Sequence, residues 1–148
     1  MNATEQTIAS LEKLLEDAYE AEALYRNASR QLSSEALTHF FEEDAEERHL
    51  FAQKIRRAIF SLEAEPRPTL VEEARDRARS LVQEASENDF RLVEICQKQE
   101  SDVVVHYDRA LSNEELPDET LRLLTWQRRF LTEHLETLSI LAETTVAA

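Results

Sequence analysis

Glu46-Glu47-Arg48-His49 holds the residues with the clearest capacity for chemistry. The spacing Glu-x-x-His places a carboxylate and an imidazole on one helical face, as a two-metal carboxylate centre in a helix bundle requires. Helical phase argues against that use. At about 100° per residue, Glu46 lies about 160° and His49 about 100° from Arg48. Arg48 itself sits mid-stripe among Leu37, Phe41, Ala45, Ala52, Ile55, Ile59 and Leu62, with Asp44 beside it. Glu46 and His49 instead share a face with Glu42, Glu43, Gln53, Arg56 and Arg57, which reads as solvated surface.

An arginine on an apolar stripe must be paired, because a buried charge is tolerated only with a counter-charge, hydrogen bonds or a metal. Other apolar stripes carry polar groups to match: Glu22 and Tyr25 in the first long helical segment, Glu100 and Tyr107 in the third, Gln127 and His134 in the fourth. The expected constellation is a buried polar network of Glu22, Tyr25, Asp44, Arg48, Glu100, Tyr107, Gln127 and His134. A fixed guanidinium would neutralise the carboxylates as a metal would and repel the metal itself. No cofactor is expected on this reading. The alternative is an iron site drawing on Glu22, Asp44, Glu47, Glu100 and His134. Leu131 stands where a glutamate three residues before His134 would complete a second Glu-x-x-His. His39 and His106 fall off the stripes and read as surface residues, and Cys96 reads as a small core residue.

The elements that position these groups are helices. The 148 residues include no glycine and three prolines, Pro66, Pro68 and Pro117, which disfavours sharp-turned β folds and phosphate-cradling glycine loops. One all-α domain over residues 1–148 is expected. Asn2 caps a first helix running to about Gln31, and Ser33-Ser34 breaks it and caps a second that ends before Glu65-Pro-Arg-Pro68. Thr69 caps a short helix to about Ala85, and Ser86-Glu-Asn-Asp89 opens the next, ending near Leu111. A last helix covers about Glu119 to Glu143, with 144–148 as a frayed tail. The tight Ser33-Ser34 connection makes the first two helices antiparallel. The long connection around 69–85 spans roughly 25 Å at 1.5 Å per residue, enough to cross the bundle and make its flanking helices parallel. The expected architecture is therefore a ferritin-like four-helix bundle with a long crossover containing a short extra helix.

A formal charge of −14 disfavours nucleic acid and anionic membranes as partners. The lone Cys96 fits a reducing compartment, and the opening residues carry no signal-peptide pattern, so a cytoplasmic location is expected. Trp126 lies far from the inner face of its helix, a place for packing under the crossover helix or for a subunit contact.

The segment Leu14-Leu-Glu-Asp-Ala-Tyr-Glu-Ala-Glu-Ala-Leu-Tyr25-Arg-Asn-Ala28, followed by Phe41, Ala45, Arg48 and Phe51, resembles the ferritin-like bundles of the bacterial DUF2383 family. Glu100, Tyr107, Ala110-Leu111, Gln127 and His134 fit the same pattern. The resemblance implies an arginine at Arg48 and no established activity. Rubrerythrin-type di-iron proteins are the neighbouring comparison, from which this chain departs by lacking a second Glu-x-x-His and turning its one outward. The function expected is a structural or binding role without a working di-iron centre. The alternatives are a metal-dependent oxidase, peroxidase or iron-handling protein, and a scaffold that binds a protein partner or a second copy in a homo-oligomer.

Overall fold

The computed structural model of the protein describes residues 2–85 and 87–147. It consists of α1 (Ala3–Ser29), α2 (Glu35–Ser61), α3 (Leu70–Ala85), α4 (Asp89–Leu111) and α5 (Asp118–Ala147), and no strand occurs among the described residues. Three N-caps are supplied by short polar side chains: Asn2 accepts from the Glu5 amide, Ser34 from Leu37 and Asn88 from Arg91. Thr69 acts differently, since its hydroxyl donates to the Glu73 carboxylate at 3.3 Å rather than accepting from a helix amide. Ser86, assigned to the break before α4, lies outside the described residues. The segment from Thr144, expected to fray, continues α5 to Ala147, with the Thr144 and Thr145 hydroxyls bonded to the Ile140 and Leu141 carbonyls. Ala148 lies outside the described residues.

Cross-helix contacts give the directions. Tyr19 meets Arg56 and Arg26 meets Glu46, so α1 and α2 are antiparallel. Tyr25 meets Glu100 and Asp17 meets His106, so α1 and α4 are antiparallel and α2 and α4 parallel. Arg67, just ahead of α3, reaches Glu12 and Glu16, while Arg77 reaches Glu16 and Glu20, so α3 runs parallel to α1 and carries the chain back along the bundle. Tyr107 pairs with Gln127 and Glu100 with His134, which sets α5 antiparallel to α4.

The core divides into two apolar clusters. One contains Leu11, Leu14, Leu15, Phe51, Ile55, Ile59, Val103, Leu124 and Leu131; the other contains Leu24, Phe41, Val82, Leu92, Val93, Cys96 and Leu138. Each buried leucine or phenylalanine contributes about 1.5–3 kcal/mol, so stability resides in these clusters. Along α2, α4 and α5 the two clusters are separated by Arg48, Glu100 and His134 respectively. The polar layer is a cross-section of the bundle. The sequence pattern puts Leu81 of α3 and Val104 of α4 inward, but both stripes are rotated by a residue: Val82 is buried and Leu81 only partly, and Val103 is buried with Val104 partly so. No helix among the described residues is long and apolar enough to cross a membrane.

Candidate functional site

Arg48 is 2% exposed and Glu100 1%, and their side chains form the central ion pair of the layer. Arg48 reaches this position because it lies between Ala45 and Ala52 on the α2 stripe, both small enough to let the guanidinium run inward. The Glu100 carboxylate is fully engaged. Its Oε1 takes Arg48 Nη2 and the Tyr25 hydroxyl, the latter at 2.7 Å, while Oε2 lies 2.7 Å from His134 Nδ1. The other ring nitrogen of His134, Nε2, lies 2.7 Å from Asp44 Oδ1, at an angle poor for a hydrogen bond. Among the described residues, Asp44 Oδ2, Arg48 Nη1 and His134 Nε2 are buried without a hydrogen-bond partner.

Aromatic rings enclose the guanidinium. The rings of Tyr25, Phe51 and Phe130 have centroids 5.3–5.4 Å from the Arg48 Cζ, within cation–π range. Phe40 and Phe130 stack on either side of His134, at interplanar angles of 5° and 9°. Trp126 then stacks on Phe130 and stays 50% exposed, with Lys54 over its ring. Trp126 therefore covers the seam between α2 and α5.

The electrostatics follow from this packing. Burial opposes ionisation of Glu100, but the His134 contact, the Arg48 charge and the Tyr25 hydroxyl outweigh it and lower its pKa. Burial also opposes the His134 cation, yet contacts with Asp44 and Glu100 raise its pKa overall. Asp44 is pushed up by burial, against the pull of His134 and Arg48. Burial also drives the Tyr25 and Cys96 pKa values well up, so both stay protonated. The Arg48 guanidinium and the His134 imidazole thus face the Glu100 and Asp44 carboxyls across the layer.

Three of the eight expected residues stand apart from this cluster. Tyr107 and Gln127 form a separate buried pair, the hydroxyl donating to Gln127 Oε1 at 2.6 Å. Glu22 departs from the expectation: its partly buried carboxylate faces Arg26 at 2.7 Å and His49 at 3.4 Å, away from Arg48. Its neighbours Ala21 and Leu24 take the inward positions. Glu46 and His49 both point outward, as their phase requires, with side chains 74% and 47% exposed.

A third buried acid, outside the Arg48 layer, is not among the residues expected from the sequence. Asp17 is buried on α1, and His106 Nδ1 lies 2.7 Å from its Oδ2. Desolvation raises the Asp17 pKa to about 6 despite His106 and Lys13. His106 is therefore a partly buried partner rather than a surface residue. The signal was the phase of Asp17, which falls between Leu14 and Ala21 on the α1 stripe.

The donor set does not suit a di-iron centre. Both Glu100 oxygens and His134 Nδ1 are engaged by protein groups, a guanidinium sits on the carboxylate, and Glu22 faces Arg26 and His49. Among the described residues no group of three His, Cys, Asp or Glu side chains is arranged to hold a metal ion.

No curated protein matches the chain. A family model described as a domain of unknown function, DUF2383, matches residues 6–113, which takes in Tyr25, Asp44, Arg48 and Glu100 and stops before Gln127 and His134. On a match covering most of its length, the chain belongs to the DUF2383 family.

Proposed function

We propose that this protein is a ferritin-like four-helix bundle in which Arg48 takes the place of a metal as the internal cation, and that it serves as a structural or binding module without a di-iron reaction. The observation that carries the reading is the Arg48 guanidinium seated on Glu100 at the centre of the polar layer. The parallel α2 and α4, connected through α3 along the bundle, support the ferritin-like connection. On this reading the polar layer sets which helix faces meet, and function lies on the outside of the bundle. A cytoplasmic location accompanies it.

The test is iron loading. Untagged protein is incubated anaerobically with ferrous iron, exposed to oxygen, then desalted, assayed for metal and scanned for absorbance. The expected result is no stoichiometric iron, no oxo-bridge band and an unchanged melting temperature. About two irons per chain with a new oxo-bridge band would overturn the proposal and return Glu100, His134 and Asp44 to the role of ligands.

Half-exposed Trp126 favours a second reading, in which the α2–α5 face contacts another copy of the chain. Light scattering that shows a concentration-dependent mass, abolished by Trp126→Ala, is the outcome that reading requires. A constant monomer mass sinks it.

A further inference from the structure

A groove between α1 and α3 gathers positive charge in a chain whose net charge is −14. Arg26 lies in the last turn of α1 and Arg30 is its C-cap residue, while Arg75 and Arg79 lie one turn apart on α3, which runs parallel to α1. Their side chains line one concave site together with Tyr19, Glu22, Ala23 and Asn27, the space enclosed being about 360 Å³. Arg26 is held by Glu22 and Glu46, and Arg79 by Asp76 at 2.9 Å. Arg30 and Arg75 have no ion-pair partner within 4.0 Å among the described residues. The cluster thus holds two guanidinium forks in place and leaves two unneutralised.

We propose that this groove is a binding site for a small diphosphate-type anion. Guanidinium forks match phosphoryl oxygens bidentately, and several of them converging favour an anion with dense charge on adjacent phosphoryl groups. Tyr19 and Asn27 in the lining add a hydroxyl and an amide. The enclosed volume lies within the usual range for small-molecule sites. Glu46 and Asp76 flank the groove and oppose an extended polyanion, which selects a compact ligand over a nucleic-acid strand. The site is independent of the Arg48 layer. It also gives Glu22 a role, as the carboxylate that orients Arg26.

Titration calorimetry on the full chain at low ionic strength tests the site, with pyrophosphate as the first probe. Saturable binding of one pyrophosphate per chain is expected, weakened at least about tenfold in the double variant Arg30→Gln/Arg75→Gln and by added salt. Arg122→Gln, on α5, should bind like the parent. All four side chains at the rim are outside the core, so an unchanged melting curve for the double variant is expected and keeps the comparison interpretable. A nucleoside diphosphate that binds more tightly than pyrophosphate assigns the diphosphate to a nucleotide, and the reverse order assigns it to a free diphosphate. Absence of saturable heat with pyrophosphate, equal affinity in the double variant, or tighter binding of a single-stranded oligonucleotide overturns the proposal.

Discussion

Arg48 sits where a charge is most expensive to strand. Breaking a buried pair by removing one partner leaves the other charge uncompensated, at a cost of about 3–5 kcal/mol. Arg48→Ala should therefore lower the unfolding free energy by about that amount, because it strands Glu100 and leaves the aromatic walls around a void. Arg57→Ala, on the exposed face of α2, should cost under about 0.5 kcal/mol. Urea unfolding of both variants checks this, and equal small effects would show that Arg48 carries no buried ion pair that matters to stability. Asp17 makes a prediction with a pH sign. Its folded pKa, about 6, exceeds the unfolded 3.8, so the folded state binds the extra proton between those values and stability falls as pH rises through the window. The shift corresponds to a loss of about 2 kcal/mol from pH 4 to 7, order-of-magnitude, which Asp17→Asn should abolish. His134, also raised, works in the same direction at higher pH: its stabilisation is complete below the unfolded value of 6.5 and is lost as pH rises through the folded value. Unfolding curves at both pH values for parent and variant measure the Asp17 contribution, and parallel losses in the two proteins would refute it. Helical phase made Arg48, Asp44, Glu100 and His134 legible, since each lies at a stripe centre. Glu22 sits at a stripe edge, where a small rotation of the helix decides between core and groove. The Asp17–His106 pair spans 89 positions of sequence, and neither member marks the other.

Helix ends show how a chain without glycine still turns. At the end of α2 the Glu63 amide bonds to the Phe60 carbonyl at 2.9 Å, and the Ala64 amide to the Ile59 carbonyl at 3.4 Å. This is a Schellman closure, which needs a left-handed residue at the position after the cap. Glu63 fills it at φ 58°, and Glu87 adopts the same φ just beyond α3. A residue with a Cβ pays about 1–2 kcal/mol there relative to right-handed backbone, while glycine adds about 0.5–1 kcal/mol of unfolded-state entropy. Glu63→Gly should then stabilise the protein by about 0.5–1 kcal/mol, read as a higher urea midpoint with an unchanged slope. A lower midpoint would mean that the Glu63 side chain contributes more than its backbone costs. Polar caps at Asn2 and Ser34 were readable because their side chains act on amides three residues away. The one-residue rotations at Val82 and Val103 were not, because adjacent apolar residues, Leu81-Val82 and Val103-Val104-Val105, leave the stripe phase undetermined until a neighbouring helix selects one. Thr69 shows the same limit for polar groups: a threonine before a helix can cap it or, as here, bond to a glutamate one turn on.

The family match and the physical bundle do not end at the same place. Residues 6–113 cover α1 to α4, whereas the polar layer and both apolar clusters are completed by α5. Leu124, Leu131 and Leu138 are buried from α5, and Gln127 and His134 satisfy Tyr107 and Glu100 from the same helix. Losing three buried leucines removes about 5–9 kcal/mol at 1.5–3 kcal/mol each. Taking away α5 also leaves Asp44 and Glu100 sharing Arg48 alone, and it opens the aromatic faces of Phe40 and Phe51 to water. A domain of this size is stable by about 5–15 kcal/mol, so the combined loss consumes most or all of that margin. A chain ending at residue 113 should therefore retain partial helicity but melt without a cooperative transition. Adding a peptide of residues 114–148 should restore cooperative unfolding, because α5 joins the rest through buried side chains from Thr120 to Leu138. Circular dichroism melts of the fragment, with and without the peptide, decide the matter. A fragment that melts cooperatively by itself would show that the first four helices are self-sufficient and that the buried charges of Arg48, Asp44 and Glu100 are balanced without His134.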